Sequence, residues 1–337
     1  MIGAILGDIV GSRFEFHNHL NKDFQLLNEG NTFTDDTVMT CAVARAILDC
    51  DGDYSDLSSR AVSAMQTIGR EYPNCGYGRK FVEWMFTDDP QPYNSCGNGS
   101  AMRISAVGFA AESVEQAQEM SAAVTKISHN HPEGMKGAEA TAVAIVLARQ
   151  GKIKDEIRQY VEENYGYDLS ITVDEYREMW SGHGREICQI SVPQAFACFL
   201  EGRDYIDVIR NCISIGGDSD TIAAIAGGIA EAYFGFPICF RDKVRGILDE
   251  RLWEIVQAFE EKYPGKKKDY DVFDPQQTME DYKNDVMTCL VDYSCDYGYS
   301  EQTARERLET HPEWLQEEFD EGHDPCTAAT FIGYCCG

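Results

Sequence analysis

Two stretches of this chain, Val38–Leu48 and Thr141–Ala148, are apolar almost all the way round a helical turn. A helix without a polar face belongs in the centre of a bundle. A third stretch crowds Ala223, Ala224, Ala226, Gly227 and Gly228 together, and such small residues let a neighbouring helix approach closely. The stripes needed to surround such a centre are also present. Leu57, Ala61, Ala64, Met65 and Ile68 follow one helical face, and Val114, Ala117, Val124 and Ile127 follow another. Alternating strand patterns of any length are hard to find. The expected fold class is all-α, a compact multi-helix bundle.

Composition bounds the function. The 337 residues are 43% apolar, enough for a large core, which excludes disorder over most of the chain. No run approaches the roughly 18 apolar residues that cross a bilayer. The N-terminal Met1–Asp8 lacks a basic region before its apolar residues, so no secretory signal and a cytoplasmic location are expected. With 57 Asp and Glu against 29 Lys and Arg, the net charge is −28, which argues against a nucleic-acid partner. An anionic nucleotide remains compatible where cations or backbone N–H groups supply the positive field. The 13 cysteines are odd in number and form no C-x-x-C pair; Cys41, Cys198, Cys212 and Cys289 lie in apolar stretches. Small buried hydrophobes are expected, rather than a disulfide or zinc framework.

The main domain is expected over residues 1–263, a linker over 264–277 and a small acidic helical module over 278–337. Lys262–Lys268 combines turn residues with a basic run, as a linker would. Beyond it, Met279, Tyr282, Val286, Cys289 and Tyr293 form a helical stripe, and Ser300–Leu308 and Pro312–Phe319 look like short helices. Residues 266–337 carry 17 acids against 6 bases. Such a module can recruit a protein target or cover one side of the main domain.

Chemistry concentrates where acids adjoin apolar helices. Thr34-Asp35-Asp36-Thr37 opens the Val38–Leu48 segment, and Gly216-Gly217-Asp218-Ser219-Asp220-Thr221 opens the small-residue helix. Each can be read as helix capping, with Thr34 at an N-cap and acids in the first turn. Buried together, however, these carboxylates would repel one another without cations. Their hard oxygen ligands suit Mg²⁺ or Mn²⁺, and no His or Cys stands among them to favour zinc. Between them, Ser95-Cys96-Gly97-Asn98-Gly99-Ser100 is either a plain turn or a glycine loop that approaches a phosphate. His129 and His131 flank Asn130 ahead of another apolar helix, with a ligand contact open for His129 and a structural role favoured for His131. Asp8 and Glu15 are acids in a mostly apolar N-terminal stretch.

In this order and approximate spacing, Gly3–Asp8 with Glu15, Thr34–Thr37, Gly97–Arg103, His129, Val192-Pro193 and Gly216–Ala223 resemble the ADP-ribosylglycohydrolase family over roughly residues 1–240. The resemblance implies an all-α bundle with a cleft holding two Mg²⁺ ions. It implies that Thr34, Asp35 and Asp36 bind metal from one side and Asp218, Asp220 and Thr221 from the other. Glu15 would gate the cleft or position water. Ser95, Cys96, Gly97, Asn98, Gly99 and Ser100 would line the phosphates and distal ribose of ADP-ribose, with His129 nearby. Cys96 departs from the aromatic residue often found at its position, and residues 266–337 lie outside the resemblance.

The implied reaction is hydrolysis of the ribosyl bond in ADP-ribosylated protein side chains or small ADP-ribose conjugates. Glu15 and Asp36 are both candidates for the base that takes a proton from water. The competing readings are a non-catalytic ADP-ribose binder and another dimetal hydrolase such as a phosphoesterase.

Overall fold

The computed structural model describes residues 1–337 apart from 181, 183–185, 271, 273, 275, 294–298 and 335–337, and apart from the side chains of 292, 293, 301 and 334. The chain is all-α, with one short parallel pairing of Phe236–Pro237 with Lys267–Lys268 among the described residues. None of its described helices is long and apolar enough to cross a membrane.

The centre of the bundle is the helix Ser219–Phe234, in which every residue from Ser219 to Ala232 is buried. Against it lies the N-terminal helix Ile2–Gly11, buried along its whole length. These two helices touch backbone to backbone. A Cβ at Gly7 would lie 2.1 Å from the Ala223 carbonyl oxygen, and one at Gly11 would lie 2.3 Å from Asp220 Cα. Only glycine permits that approach. The helices Asp35–Cys50 and Pro132–Arg149 flank this pair, and they contain the two stretches that are apolar all round.

The amphipathic helices wrap this centre as their stripes require. In Leu57–Gly69 the buried face includes Leu57, Ala61, Ala64, Met65 and Ile68. In Val114–Thr125, Ala117 and Val124 are buried, Val114 is half-buried, and Ile127 packs just beyond the helix end. Cys41, Cys198, Cys212 and Cys289 are fully buried.

A second, smaller apolar cluster gathers Tyr270, Tyr282, Val286, Cys289, Leu308, Leu315 and Ile332. Its helices are Met279–Thr288, Glu301–Thr310, Pro312–Asp320 and Pro325–Tyr334. The stripe read from the sequence supplies Tyr282, Val286 and Cys289, while the side chain of Tyr293 lies outside the described residues. The segment expected to link the two clusters is itself pinned to the main bundle. Lys267–Lys268 pairs with Phe236–Pro237, the Lys266 amine donates to the Tyr233 carbonyl, and Tyr270 is buried in the second cluster. Further ties come from Lys268, 2.5 Å from the Asp285 carboxylate, and from the Thr288 hydroxyl, which donates to Asp204 at 2.7 Å.

Candidate active site

The starts of four helices, at Asp35, Arg79, Gly99 and Ser219, converge with Glu15 on a cavity of about 320 Å³. The first is the turn before Asp35–Cys50. Thr34 is extended (φ −118°, ψ −167°) and its side chain accepts from the Asp36 N–H, so the capping expected from the sequence is present. The same turn points Asp35 and Asp36 into the cavity, so capping and a ligand role do not exclude one another. The second is the start of Ser219–Phe234. Here Gly216 (φ +69°) and Gly217 (φ +88°) adopt the left-handed backbone that delivers Asp218 and Asp220 to the same space.

The two acidic turns meet. Thr221 Oγ1 donates to Asp36 Oδ2 at 3.1 Å, and carboxylate oxygens of Asp8, Asp36 and Asp220 lie within 4.8 Å of one another. A second such group joins Glu15, Asp218 and Asp220. Glu15 is brought there by Asn18, whose amide donates to the carbonyls of Glu15 and Gly217 and accepts from the Gly217 N–H.

So much buried acid is electrostatically unfavourable on its own. Burial first, then the charges of neighbouring carboxylates, pushes Asp35, Asp36 and Asp220 well above the usual carboxylate range. Asp218 is raised by burial, against which the Asn98 amide, 2.5 Å from it, pulls down. Glu15 is half-buried, and burial with the charges of Asp218, Glu186 and Asp8 raises it to about 7. One oxygen, Asp36 Oδ1, is buried and accepts no hydrogen bond from any described residue. An unsatisfied buried carboxylate oxygen among other carboxylates and hydroxyls is the donor set of a hard divalent cation.

The loop after Ser95 forms another wall. Ser95, Gly97, Asn98 and Gly99 line the cavity. The loop is held by an isolated antiparallel bridge between Gly97 and Ile187, with Asn98 N–H donating to the Glu186 carbonyl and Cys188 N–H to the Cys96 carbonyl. Cys96 and Ser100 are not among the lining residues. Ser100 is fully buried beneath the loop, where its hydroxyl donates to the Gly134 carbonyl at 2.8 Å. Thr34 is also absent from the lining, and its hydroxyl donates to Asp8 at 2.7 Å. The helix that follows, Gly99–Met102, has only four residues.

His129 lies against the same loop, its ring 5.8 Å from that of Tyr93 and 6.4 Å from that of Phe81. Burial, followed by the charge of Arg103, holds its pKa well below the usual histidine value, so the imidazole is neutral. Arg103 is fully buried and donates to the Ser128 hydroxyl. His131 instead caps Pro132–Arg149, accepting from the Glu133 N–H.

The structure adds residues that the motifs did not single out. Arg79, Lys80, Phe81 and Tyr93 line the cavity, and so does Glu186. Arg79, Lys80 and Phe81 follow Gly76-Tyr77-Gly78, and Glu186 follows Gly182-His183-Gly184, so a G-x-G pattern stands ahead of each and was the local signal available. Asp8 was visible as an isolated acid, but its connection to Thr34 and Thr37 was not.

Comparison with known proteins agrees with this architecture. The family model for ADP-ribosylglycohydrolase matches residues 1–269. The chain is 27% identical to the ADP-ribosylhydrolase ARH3 of Homo sapiens, over 70% of this chain and 84% of that one. It is 25% identical to ARH3 of Xenopus tropicalis, over 75% and 92%. With the ADP-ribosylarginine hydrolase Tri1 of Pseudomonas putida it shares 24% identity, over 70% and 69%. A solved structure titled as an ADP-ribosylglycohydrolase-related protein complex has the same fold, with a TM-score of 0.58 at 23% identity, covering 77% of this chain and 95% of that one. The chain belongs to the ADP-ribosylglycohydrolase family of hydrolases.

Proposed function

We propose that this protein is a divalent-metal-dependent hydrolase that cleaves the ribosyl bond of ADP-ribosylated protein side chains or small ADP-ribose conjugates. The observation that carries the reading is the pairing of the two acidic turns around Asp36, whose Oδ1 is buried without a hydrogen bond. The names of its ARH3 and Tri1 relatives support the substrate class. Two Mg²⁺ ions, with Mn²⁺ as substitute, would be held by Thr34, Asp35 and Asp36 on one side and Asp218, Asp220 and Thr221 on the other. When bound, they would polarise water and ribose hydroxyls and offset the carboxylate charge.

The chain's own groups supply the rest. Cleavage at the ribose anomeric carbon passes through an oxocarbenium-like transition state, so a nearby carboxylate must take the proton of the attacking water. Glu15 suits that task better than Asp36. It lines the cavity and is half-buried, whereas Asp36 is committed to Thr221 and to the cation set. Arg79 and Lys80 bring positive charge to an otherwise acidic cavity, and with the Gly97–Gly99 backbone they suit the pyrophosphate. Phe81, Tyr93 and the neutral His129 ring suit the nucleoside face. Ser95 and Asn98 remain ribose or phosphate contacts in this reading, while Ser100 supports the loop from behind.

We also read residues 1–263 as the catalytic unit and 278–337 as an acidic module for contact with a protein substrate, and we read the location as cytoplasmic. The test is incubation with arginine- and serine-linked ADP-ribosyl peptides and a simple phosphoester. ADP-ribose released with Mg²⁺ and lost on chelation is the expected result. Release of phosphate alone, or turnover indifferent to chelation, overturns the reading.

A further inference from the structure

The Asp8 carboxylate stands outside the ligand set inferred above, yet it is fully buried beside it, within 4.8 Å of Asp36 and Asp220. Proximity alone is consistent with a further cation ligand or with a support for the ligands already named. The hydrogen bonds of Asp8 favour the second. Its Oδ1 accepts from the Thr34 hydroxyl at 2.7 Å. Its Oδ2 accepts from the N–H groups of Thr34 and Thr37, each at 3.0 Å, and from the Thr37 hydroxyl. Three donors saturate Oδ2, and the Thr34 hydroxyl takes one of the two sites on Oδ1, so the carboxylate is spent chiefly on this one turn.

These donors belong to the start of Asp35–Cys50. A helix start leaves its first N–H groups without intrahelical partners. Asp8 satisfies that of Thr37 from a different helix, while Thr34 serves as the local cap. One turn further along its own helix, Gly11 seats on the other acidic turn, since a Cβ there would meet Asp220 Cα at 2.3 Å. Residues three apart share a helix face. The same face of Ile2–Gly11 therefore touches both ligand-bearing turns.

We propose that Asp8 is a positioning residue that grips the start of Asp35–Cys50 and, with Gly11 against Asp220, sets the spacing of the two cation-binding turns without binding a cation itself. The inference rests on the metal reading given above. It requires the carboxylate in particular, because the amide of Asn would turn a donor toward Thr34 or Thr37.

The experiment is Mn²⁺ titration of the full-length chain by calorimetry, paired with thermal melting of the metal-free protein. Asp8→Asn is expected to weaken Mn²⁺ binding about 10–100-fold, the range for partners that orient ligands, and to lower the metal-free melting temperature. Thr37→Val, which removes one donor and touches no cation, is expected to shift both in the same direction by less, and Thr37→Ser to restore both. Unchanged Mn²⁺ affinity in Asp8→Asn would leave Asp8 a merely structural residue and overturn the inference. A higher metal-free melting temperature in Asp8→Asn would also overturn it, because that is the signature of a ligand whose charge only repels its neighbours. Should Asp8→Asn fail to fold, the Thr37→Val and Thr37→Ser pair carries the test, and equal affinities in the two overturn the inference. A wild-type chain that takes up no Mn²⁺ overturns the metal reading itself, and this inference falls with it.

Discussion

Thr221 Oγ1 donates to Asp36 Oδ2 across 3.1 Å, joining residues 185 positions apart at the starts of two different helices. That contact makes one site of two acidic turns, each of which alone would read as a helix cap. Removing a carboxylate from either side should therefore have the same consequence. Asp36→Asn and Asp218→Ala are each expected to lower kcat/KM by more than about 100-fold, beyond the usual cost of losing an outer partner alone. Circular dichroism of both variants should remain that of the parent, because each substitution relieves repulsion. Near-normal turnover in either would remove the assignment of ligands.

The candidate base makes a separate prediction. Glu15→Gln keeps the shape of the side chain and its backbone ties to Asn18, but it cannot accept a proton. Loss of a general base typically costs about 10²–10⁴ in rate. Turnover should fall within that range while ADP-ribose binding, followed by calorimetry, stays within a few-fold of the parent. Loss of binding together with rate would instead make Glu15 a substrate or cation contact.

The acidic site and the Asp207 cluster should respond to pH in opposite directions. Asp35, Asp36 and Asp220 are raised by burial and mutual charge, so the metal-free folded state binds more protons than the unfolded chain. By linkage their contribution to stability is greatest below the ordinary carboxylate value and is lost as pH rises through their elevated folded values. The metal-free melting temperature should fall as pH rises from the ordinary carboxylate range toward neutrality. Since a cation must displace those protons, its apparent affinity should rise over the same interval. A melting temperature that climbs with pH across this interval would contradict the assignment.

Asp207 behaves in the opposite sense. Burial raises its pKa, but hydrogen bonds from Arg203 and Lys22 and their charges outweigh that and hold it below the usual range. Its stabilising contribution is present above the ordinary carboxylate value and is lost as pH falls through its depressed folded value. Replacing Asp207 with Asn should raise the acid midpoint of unfolding, and an unchanged midpoint would show that this cluster does not set it.

Much of this was legible because helix faces are local. The stripe from Leu57 to Ile68 became the buried face of one helix, and Thr34 could be read as a cap from its place before two acids. The N-cap of the last described helix is equally local, with Asp324 ahead of Pro325 accepting from the Thr327 N–H. What the sequence hides is pairing at a distance. Asp8 is one acid in an apolar helix until Thr37, 29 positions later, donates to it. Glu186 and Lys80 each follow a G-x-G pattern, but that pattern alone does not say that the two segments meet at one cavity. Ser100 looked like a loop hydroxyl facing a ligand, but the short helix begun at Gly99 turns it inward onto Gly134.

The close contact of the first helix with the central one offers a test of packing. At Gly7 an added Cβ would fall 2.1 Å from the Ala223 carbonyl, so Gly7→Ala must part the two backbones. Overpacking costs about 1–3 kcal/mol, occasionally more. Thermal melting should show a loss of at least that size, and a neutral Gly7→Ala would mean that the helices are not in backbone contact.

The convergence of the two acidic turns is tested most directly by anomalous diffraction from crystals grown with Mn²⁺ and ADP-ribose. The account predicts anomalous peaks within bonding distance of Asp36 and Asp220, with the nucleotide along the Ser95–Gly99 loop. Peaks elsewhere, or a nucleotide bound away from carboxylates that carry no metal, would contradict it.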